Sequence, residues 1–221
     1  MNYSIDKQTS FGRAPGRLIT TVTGLIVLLC AAGPVLAHHP LGGRAPTDLF
    51  EGIVSGFAHP IIGIDHLAFL LAIGLLAVGQ SRRYWIPAAF VVATVAGTVV
   101  HLRGMNLFSV EAMIAISVVL SGGLLVAYRQ YRPSLLIALG GVAGLFHGYA
   151  YGEAIVGAES TPLFAYLVGF SVIQYVVMAT SIWAGGRLLQ RVSEQTSQTL
   201  VRVVGSAITA VGLVFFALTF G

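Results

Sequence analysis

The sequence predicts an all-α, polytopic membrane protein with six transmembrane helices behind a cleaved signal peptide. Of its 221 residues 56% are hydrophobic and only 9% are charged, whereas soluble domains carry about 25% charged residues. The apolar residues form blocks long enough to cross about 30 Å of hydrocarbon at about 1.5 Å per helical residue. The 12 basic residues lie between these blocks rather than in one stripe. The pattern excludes a soluble enzyme, a disulfide scaffold, a disordered chain and a nucleic-acid binder.

The amino terminus has the features of a secretory signal peptide. Residues 1–17 carry three cations against one acid, residues 18–32 are an apolar run, and Val35 and Ala37 are the small residues at positions −3 and −1. This order of basic, apolar and small residues predicts cleavage after Ala37. Residues 38–221 would then form a single membrane domain. The alternative is a retained first membrane helix, which the intact mass of the membrane-extracted protein would reveal.

The mature chain contains six apolar segments joined by short loops, so sequential helices are expected to pack antiparallel. We number the predicted spans 1 to 6, in the order 51–79, 84–102, 109–128, 134–152, 161–184 and 202–220.

The arginines orient these spans in the bilayer. Those that follow spans 1, 3 and 5 are Arg82, Arg83, Arg129, Arg132, Arg187, Arg191 and Arg202. The opposite side carries Arg44 and Arg103. Because cytoplasmic loops are enriched in basic residues, the bias predicts a multi-pass protein of the bacterial inner membrane with both mature termini in the periplasm.

Ionisable groups inside a bilayer are costly and are usually functional. The candidates in the spans are His59, Asp65 and His66 of span 1, Glu111 at the start of span 3, and His147 and Glu153 at the end of span 4. No lysine follows Lys7, and no arginine lies inside a span to neutralise the acids. The missing cation is therefore interpreted as a ligand, either a proton or a divalent metal. Imidazole and carboxylate together suit Ni²⁺, Co²⁺ or Zn²⁺.

The spacing of the two span 1 histidines decides whether they can bind one ion together. His59 and His66 share a face of a straight helix but lie about 10.5 Å apart along its axis. Pro60 and Gly63 between them predict a break that shortens this distance. Without a break, the two histidines would be successive binding positions on a path through the membrane.

Two further patterns concern the halves of the chain. The spacing His59-x5-Asp65 in span 1 recurs as His147-x5-Glu153 in span 4, which suggests a 3+3 inverted repeat around a shared site. Glycines at 140, 144, 148 and 152 in span 4, and at 52 and 56 in span 1, predict close approach of these spans to a neighbour. His59, Glu111, His147 and Glu153 are expected to line an outer vestibule, with Asp65 and His66 deeper.

Four other residues are assigned less central roles. His101 is interpreted as an interhelical hydrogen-bonding partner and Glu159 as a solvated loop acid. After cleavage, His38 and His39 would stand beside a free amine, which suggests an amino-terminal capture site for a late first-row metal.

The motifs resemble those of a known family. His59-Pro60-x-x-Gly63-x-Asp65-His66-Leu67 and Phe146-His147-Gly148-x-Ala150-x-Gly152-Glu153 are similar to the two principal motifs of the HupE/UreJ nickel and cobalt permeases. The resemblance implies secondary uptake of Ni²⁺ or Co²⁺, with the motif histidines and acids, and Glu111 by its place in span 3, as probable ligands.

The chain departs from the family pattern at three positions. Tyr151 stands where the family often has a second histidine, and Leu70 and Leu76 stand where a methionine and a tryptophan are common. These changes make the expected site richer in oxygen. The Tyr151 variant resembles cyanobacterial-type members, in which cobalt is the expected substrate.

Three functions compete at this point. A metal permease needs no prosthetic group, and the absence of a G-x-x-x-x-G-K-[ST] loop indicates that gradients or a separate partner would drive it. An intramembrane metal-dependent hydrolase could use the same ligands, but the chain has no i,i+4 histidine pair and no hydrophilic domain for a substrate. A haem protein is disfavoured by the carboxylates beside the histidines. The sequence thus favours a transporter over an enzyme.

Overall fold

The structure is a computed structural model that describes residues 44–220, and these residues form helices and no strand. In chain order the helices are α1 (Leu49–Ile62), α2 (Ile64–Leu76), α3 (Trp85–Leu102), α4 (Val110–Ala127), α5 (Pro133–Glu153), α6 (Ser160–Leu189) and α7 (Glu194–Phe220). The predicted all-α class is confirmed. The predicted signal peptide and its cleavage site lie outside the described residues.

Five helices, α3 to α7, are each long and apolar enough to cross a membrane. Helices α1 and α2 meet the same criterion only together, and they are bent by 76° at the break between them. The predicted number of six spans is therefore reached when this bent pair counts as one span.

The break between α1 and α2 follows from two residues. Pro60 lies in the last turn of α1, where it has no N–H to donate to the preceding turn. Gly63 then has an extended backbone, with φ −68° and ψ 101°. Its carbonyl accepts a hydrogen bond of 2.8 Å from the Leu67 N–H in the first turn of α2. The chain thus ends one helix and starts the next within a single residue.

The closest helix pairs are not sequential ones, which corrects the expectation from the short loops. Helix α1 packs mainly on α6, α3 on α5, and α4 on α7, while α2 lies centrally against α4, α6 and α7. The physical reason is the placement of glycines, because backbones approach most closely where no side chain intervenes.

The α3–α5 pair shows this effect most clearly. A Cβ on Gly148 would overlap the carbonyl oxygen of Thr94, and one on Gly144 would lie 2.7 Å from the carbonyl oxygen of Phe90. The Thr98 hydroxyl donates a hydrogen bond of 2.7 Å to the Gly148 carbonyl across this contact. The glycines of span 4 therefore bring α5 against α3.

The glycines of span 1 do the same for α1 and α6. A Cβ on Gly52 would lie 2.5 Å from the carbonyl oxygen of Pro162, and one on Gly56 would lie 2.5 Å from that of Tyr166. The predicted close approach of both glycine patterns to a neighbouring helix is confirmed.

The connections that follow α2, α4 and α6 lie at one end of the bundle. Gln80 Nε2 donates a hydrogen bond of 3.3 Å to Gln130 Oε1, which joins the first two connections. A cavity of about 410 Å³ at this end is lined by Gly79 and Arg129 of these two connections and by Leu189 and Glu194, which flank the third. The loops that carry most of the arginines thus share an end, and we call it the arginine end. Its cytoplasmic orientation stays a prediction.

The two halves of the proposed repeat differ in local structure. His59 and Asp65 lie on either side of the break at Gly63, whereas His147 and Glu153 lie in the continuous helix α5. The inverted repeat therefore stays a prediction.

Candidate metal centre

Four of the six predicted span residues are buried together where α2 and α5 meet. His59, Asp65, His66 and His147 are each at most 1% exposed. The Nδ1 atoms of His66 and His147 are 2.8 Å apart, and the rings of His59 and His66 have centroids 5.9 Å apart. We call these four residues the histidine pocket. Spans 1 and 4 therefore converge.

The helix break produces this convergence. On a straight helix His59 and His66 would be separated by about 10.5 Å along the axis, which is nearly twice their observed ring separation of 5.9 Å. The 76° bend at Gly63 turns α2 so that His66 approaches both His59 and His147.

Asp65 lies in the first turn of α2, with its carboxylate held by the backbone. Its Oδ1 accepts a hydrogen bond of 2.8 Å from the His66 N–H, and the positive end of the α2 dipole favours the anion. No lysine occurs among residues 44–220, and no arginine lies within α1 or α2. A buried carboxylate favours the binding of a cation because a charge without compensation is costly away from water.

Ser117 of α4 determines which nitrogen of His147 carries hydrogen. Its hydroxyl donates a hydrogen bond of 2.6 Å to the carbonyl of Ile114 and lies 3.0 Å from His147 Nε2. Because a hydroxyl has only one hydrogen, His147 donates through Nε2 and accepts through Nδ1. His66 must then donate through its own Nδ1.

Tyr166 of α6 has the corresponding role for His59. Its hydroxyl donates a hydrogen bond of 3.0 Å to the carbonyl of Tyr151 and lies 2.9 Å from His59 Nδ1. His59 therefore donates through Nδ1. Two imidazoles that donate through Nδ1, and one carboxylate, thus share the pocket.

Aromatic rings enclose the histidines. Tyr151 has ring centroids 5.0 Å from His59 and 4.6 Å from His66, in edge-to-face arrangements. Phe69 and Phe90 lie 4.7 and 5.6 Å from the His147 ring. The expected outer vestibule is therefore not open at His59 and His147, because these rings cover them.

The structure does not place the two predicted glutamates in the pocket. Glu111 is exposed in the first turn of α4, and Glu153 is exposed as the last residue of α5. Both lie at the end of the bundle opposite the arginine end. Among the described residues, no group of three or more His, Cys, Asp or Glu side chains has the spacing to hold one ion as arranged.

His101 and Glu159 lie away from the histidine pocket. His101 packs edge-to-face on Tyr149 with centroids 4.5 Å apart, and within residues 44–220 its Nδ1 has no hydrogen-bond partner. The interhelical hydrogen bond predicted for His101 is thus not found at Nδ1, and the contact is one of packing. Glu159 is exposed, as expected. His38 and His39 lie outside the described residues.

Three polar residues of the buried region were missed by sequence reasoning, namely Ser117, Tyr166 and Gln174. All three are uncharged and lie inside apolar helices, so a search for ionisable groups passes over them. Gln174 is fully buried and is the only amide side chain within the span predicted at 161–184, a signal that could have identified it.

Apolar spanning helices that enclose three histidines and an aspartate define a multi-pass membrane protein with a buried ionisable site. The family described as HupE / UreJ protein matches residues 26–215. Protein HupE of Rhizobium leguminosarum bv. viciae is 30% identical over 197 residues, which cover 88% of this chain and 94% of that protein. No solved structure matches the chain. The chain belongs to the HupE/UreJ family.

Proposed function

We propose that the protein is a secondary transporter that takes up Ni²⁺ or Co²⁺ across the bacterial inner membrane. The histidine pocket is the proposed binding site for the transported ion. The observation that carries the proposal is the meeting of His66 and His147, from different spans, beside the buried carboxylate of Asp65.

The distance between the two histidines suits shared ligation. Two nitrogens bound at right angles to one ion, each at about 2.1 Å, lie about 3 Å apart. The Nδ1 atoms of His66 and His147 are 2.8 Å apart, so a shift of the His66 proton from Nδ1 to Nε2 would let both Nδ1 atoms bind one ion. Such a mixed nitrogen and oxygen set also tolerates Zn²⁺.

Asp65 supplies the charge that holds the ion, because Coulomb attraction is strongest where water is excluded. Exposed Glu111 and Glu153 are proposed to attract the ion at the periplasmic face before it enters. The amino-terminal pair His38 and His39 is proposed to capture metal there as well.

Uptake of radioactive nickel, cobalt and zinc by cells that express the protein tests the proposal. We expect nickel or cobalt uptake above that of cells with an empty vector, and a loss of about tenfold or more in His66→Ala at equal membrane abundance. His101→Ala is the matched control, because His101 packs outside the pocket, and it should transport normally. Background uptake of all three metals by the native protein would contradict the proposal.

A further inference from the structure

Gln174 is a buried amide side chain inside the apolar helix α6. It is fully buried, and within residues 44–220 neither its Oε1 nor its Nε2 has a hydrogen-bond partner. Buried polar side chains are nearly always hydrogen-bonded, and each exception requires an explanation. A ligand that the amide binds is such an explanation.

The contacts of α6 place Gln174 level with the helix break. A Cβ on Gly56 of α1 would lie 2.9 Å from the Phe170 backbone nitrogen, and one on Gly74 of α2 would lie 2.8 Å from the Met178 carbonyl oxygen. Gln174 is one helical turn from both Phe170 and Met178, on the same buried stripe of α6. The segment of α1 and α2 opposite Gln174 is therefore the one between Gly56 and Gly74.

That segment contains the break and the pocket residues of span 1. The ring of Phe170, one turn before Gln174, has its centroid 5.4 Å from that of Tyr151, and Tyr151 packs on His66 at 4.6 Å. Gln174 thus lies one turn from the aromatic wall of the histidine pocket, on the side where Gly63 interrupts the helix.

We propose that Gln174 is a further residue of the ion-binding site, contributed by α6, whose Oε1 ligates the transported ion. This inference rests on the proposed function. A neutral amide oxygen adds a hard donor without adding charge, which extends the imidazoles and the single carboxylate to a set suited to Ni²⁺ and Co²⁺. It would also give the amide a partner, which it lacks within residues 44–220.

Ion binding by purified protein in detergent tests this role, with nickel chloride and cobalt chloride as probes in calorimetry. We expect Gln174→Leu to raise the dissociation constant about tenfold or more, since one ligand is lost. The melting temperature of its metal-free form should not fall, because the change removes a buried polar group that has no partner. Met178→Leu, one turn along the same stripe, is the matched control and should bind as the native protein does.

A second variant separates ligation from hydrogen-bond donation. Gln174→Glu keeps an oxygen at the same reach but has no amide N–H, so we expect a dissociation constant within about threefold of native or lower. Loss of binding in Gln174→Glu as large as in Gln174→Leu would show that the amide acts as a donor, which overturns the inference.

Other outcomes also decide the matter. Native affinity in Gln174→Leu, or a folding defect in that variant, would overturn the inference while leaving the proposed function in place. Absence of nickel and cobalt binding by the native protein would instead remove the proposed function, and the role of Gln174 with it.

Discussion

At the scale of single residues, the pocket is organised by uncharged groups around the charged one. The hydroxyls of Ser117 and Tyr166 fix the hydrogen positions on His147 and His59, and a backbone N–H holds Asp65. These partners orient the imidazoles, so under the proposed function little ordering of the side chains is left for ion binding.

Asp65→Asn should reduce metal uptake to less than about a tenth of the native rate. The amide keeps the shape of the side chain but removes the negative charge, whose attraction for a cation is largest in a medium of low dielectric constant. The measurement is cobalt and nickel uptake at equal membrane abundance. Glu159→Gln, which neutralises an exposed acid, is the control, and near-native uptake by Asp65→Asn would exclude Asp65 from the site.

His59→Ala and His147→Ala should each remove most of the ion binding, and the double variant should lose little more. Residues that share a site are not additive, whereas separate ones add within about 0.5 kcal/mol. Mass spectrometry in detergent counts the bound ions, in a background where His38 and His39 are replaced so that an amino-terminal site does not contribute. If each single variant keeps one ion and only the double variant loses it, there are two sites.

At the scale of helices, glycines determine which pairs pack and therefore where the pocket forms. Helix α5 carries His147 and is held on α3 by backbone contacts at Gly144 and Gly148. Helix α1 carries His59 and is held on α6 by Gly52 and Gly56.

Gly148→Ala should destabilise the protein by about 1–3 kcal/mol, the usual cost of overpacking a close contact. The new Cβ would overlap the carbonyl oxygen of Thr94, so α3 and α5 must separate. Gly141→Ala is the matched control in the same helix, because nothing lies within 4 Å of its Cβ. Thermal unfolding in detergent compares the two, and an equal melting temperature for both variants would refute the packing argument.

At the scale of the whole molecule, the connections alternate between two ends, and one end carries most of the arginines. This arrangement fits a protein whose basic loops face the cytoplasm. The opposite end contains the connection between α3 and α4, where Met105 is exposed.

Cysteine labelling tests the predicted orientation. In a background where Cys30 is replaced by serine, Met105→Cys should react with a membrane-impermeant maleimide added to spheroplasts. Gln130→Cys should react only after the membrane is opened, because Gln130 lies at the arginine end. The reverse pattern would show that the protein is inserted the other way round.

The sequence predicts the helical class, the break in span 1 and the residues of the histidine pocket. These features depend on local chemistry: Pro60 and Gly63 interrupt a helix wherever it packs, and an ionisable residue in an apolar run is conspicuous. The family motifs reinforce the same positions.

The packing partners and the uncharged pocket residues could not be predicted in the same way. A glycine stripe shows that a helix will approach a neighbour but not which one, so the pairing of α3 with α5 emerges only in three dimensions. Ser117 and Tyr166 have the composition of ordinary span residues, and their roles depend on the helices that face them.

The two phenylalanines beside His147 have a consequence for leakage across the membrane. Phe69 of α2 and Phe90 of α3 are fully buried, and their ring centroids are 5.2 Å apart. Rings in contact leave no room for a file of water molecules, and without one neither a hydrated ion nor a proton can cross this point. Under the proposed function, an ion that leaves the histidine pocket past these rings requires a movement that parts α2 from α3, and while the two rings touch they limit the leakage of water and protons at this point.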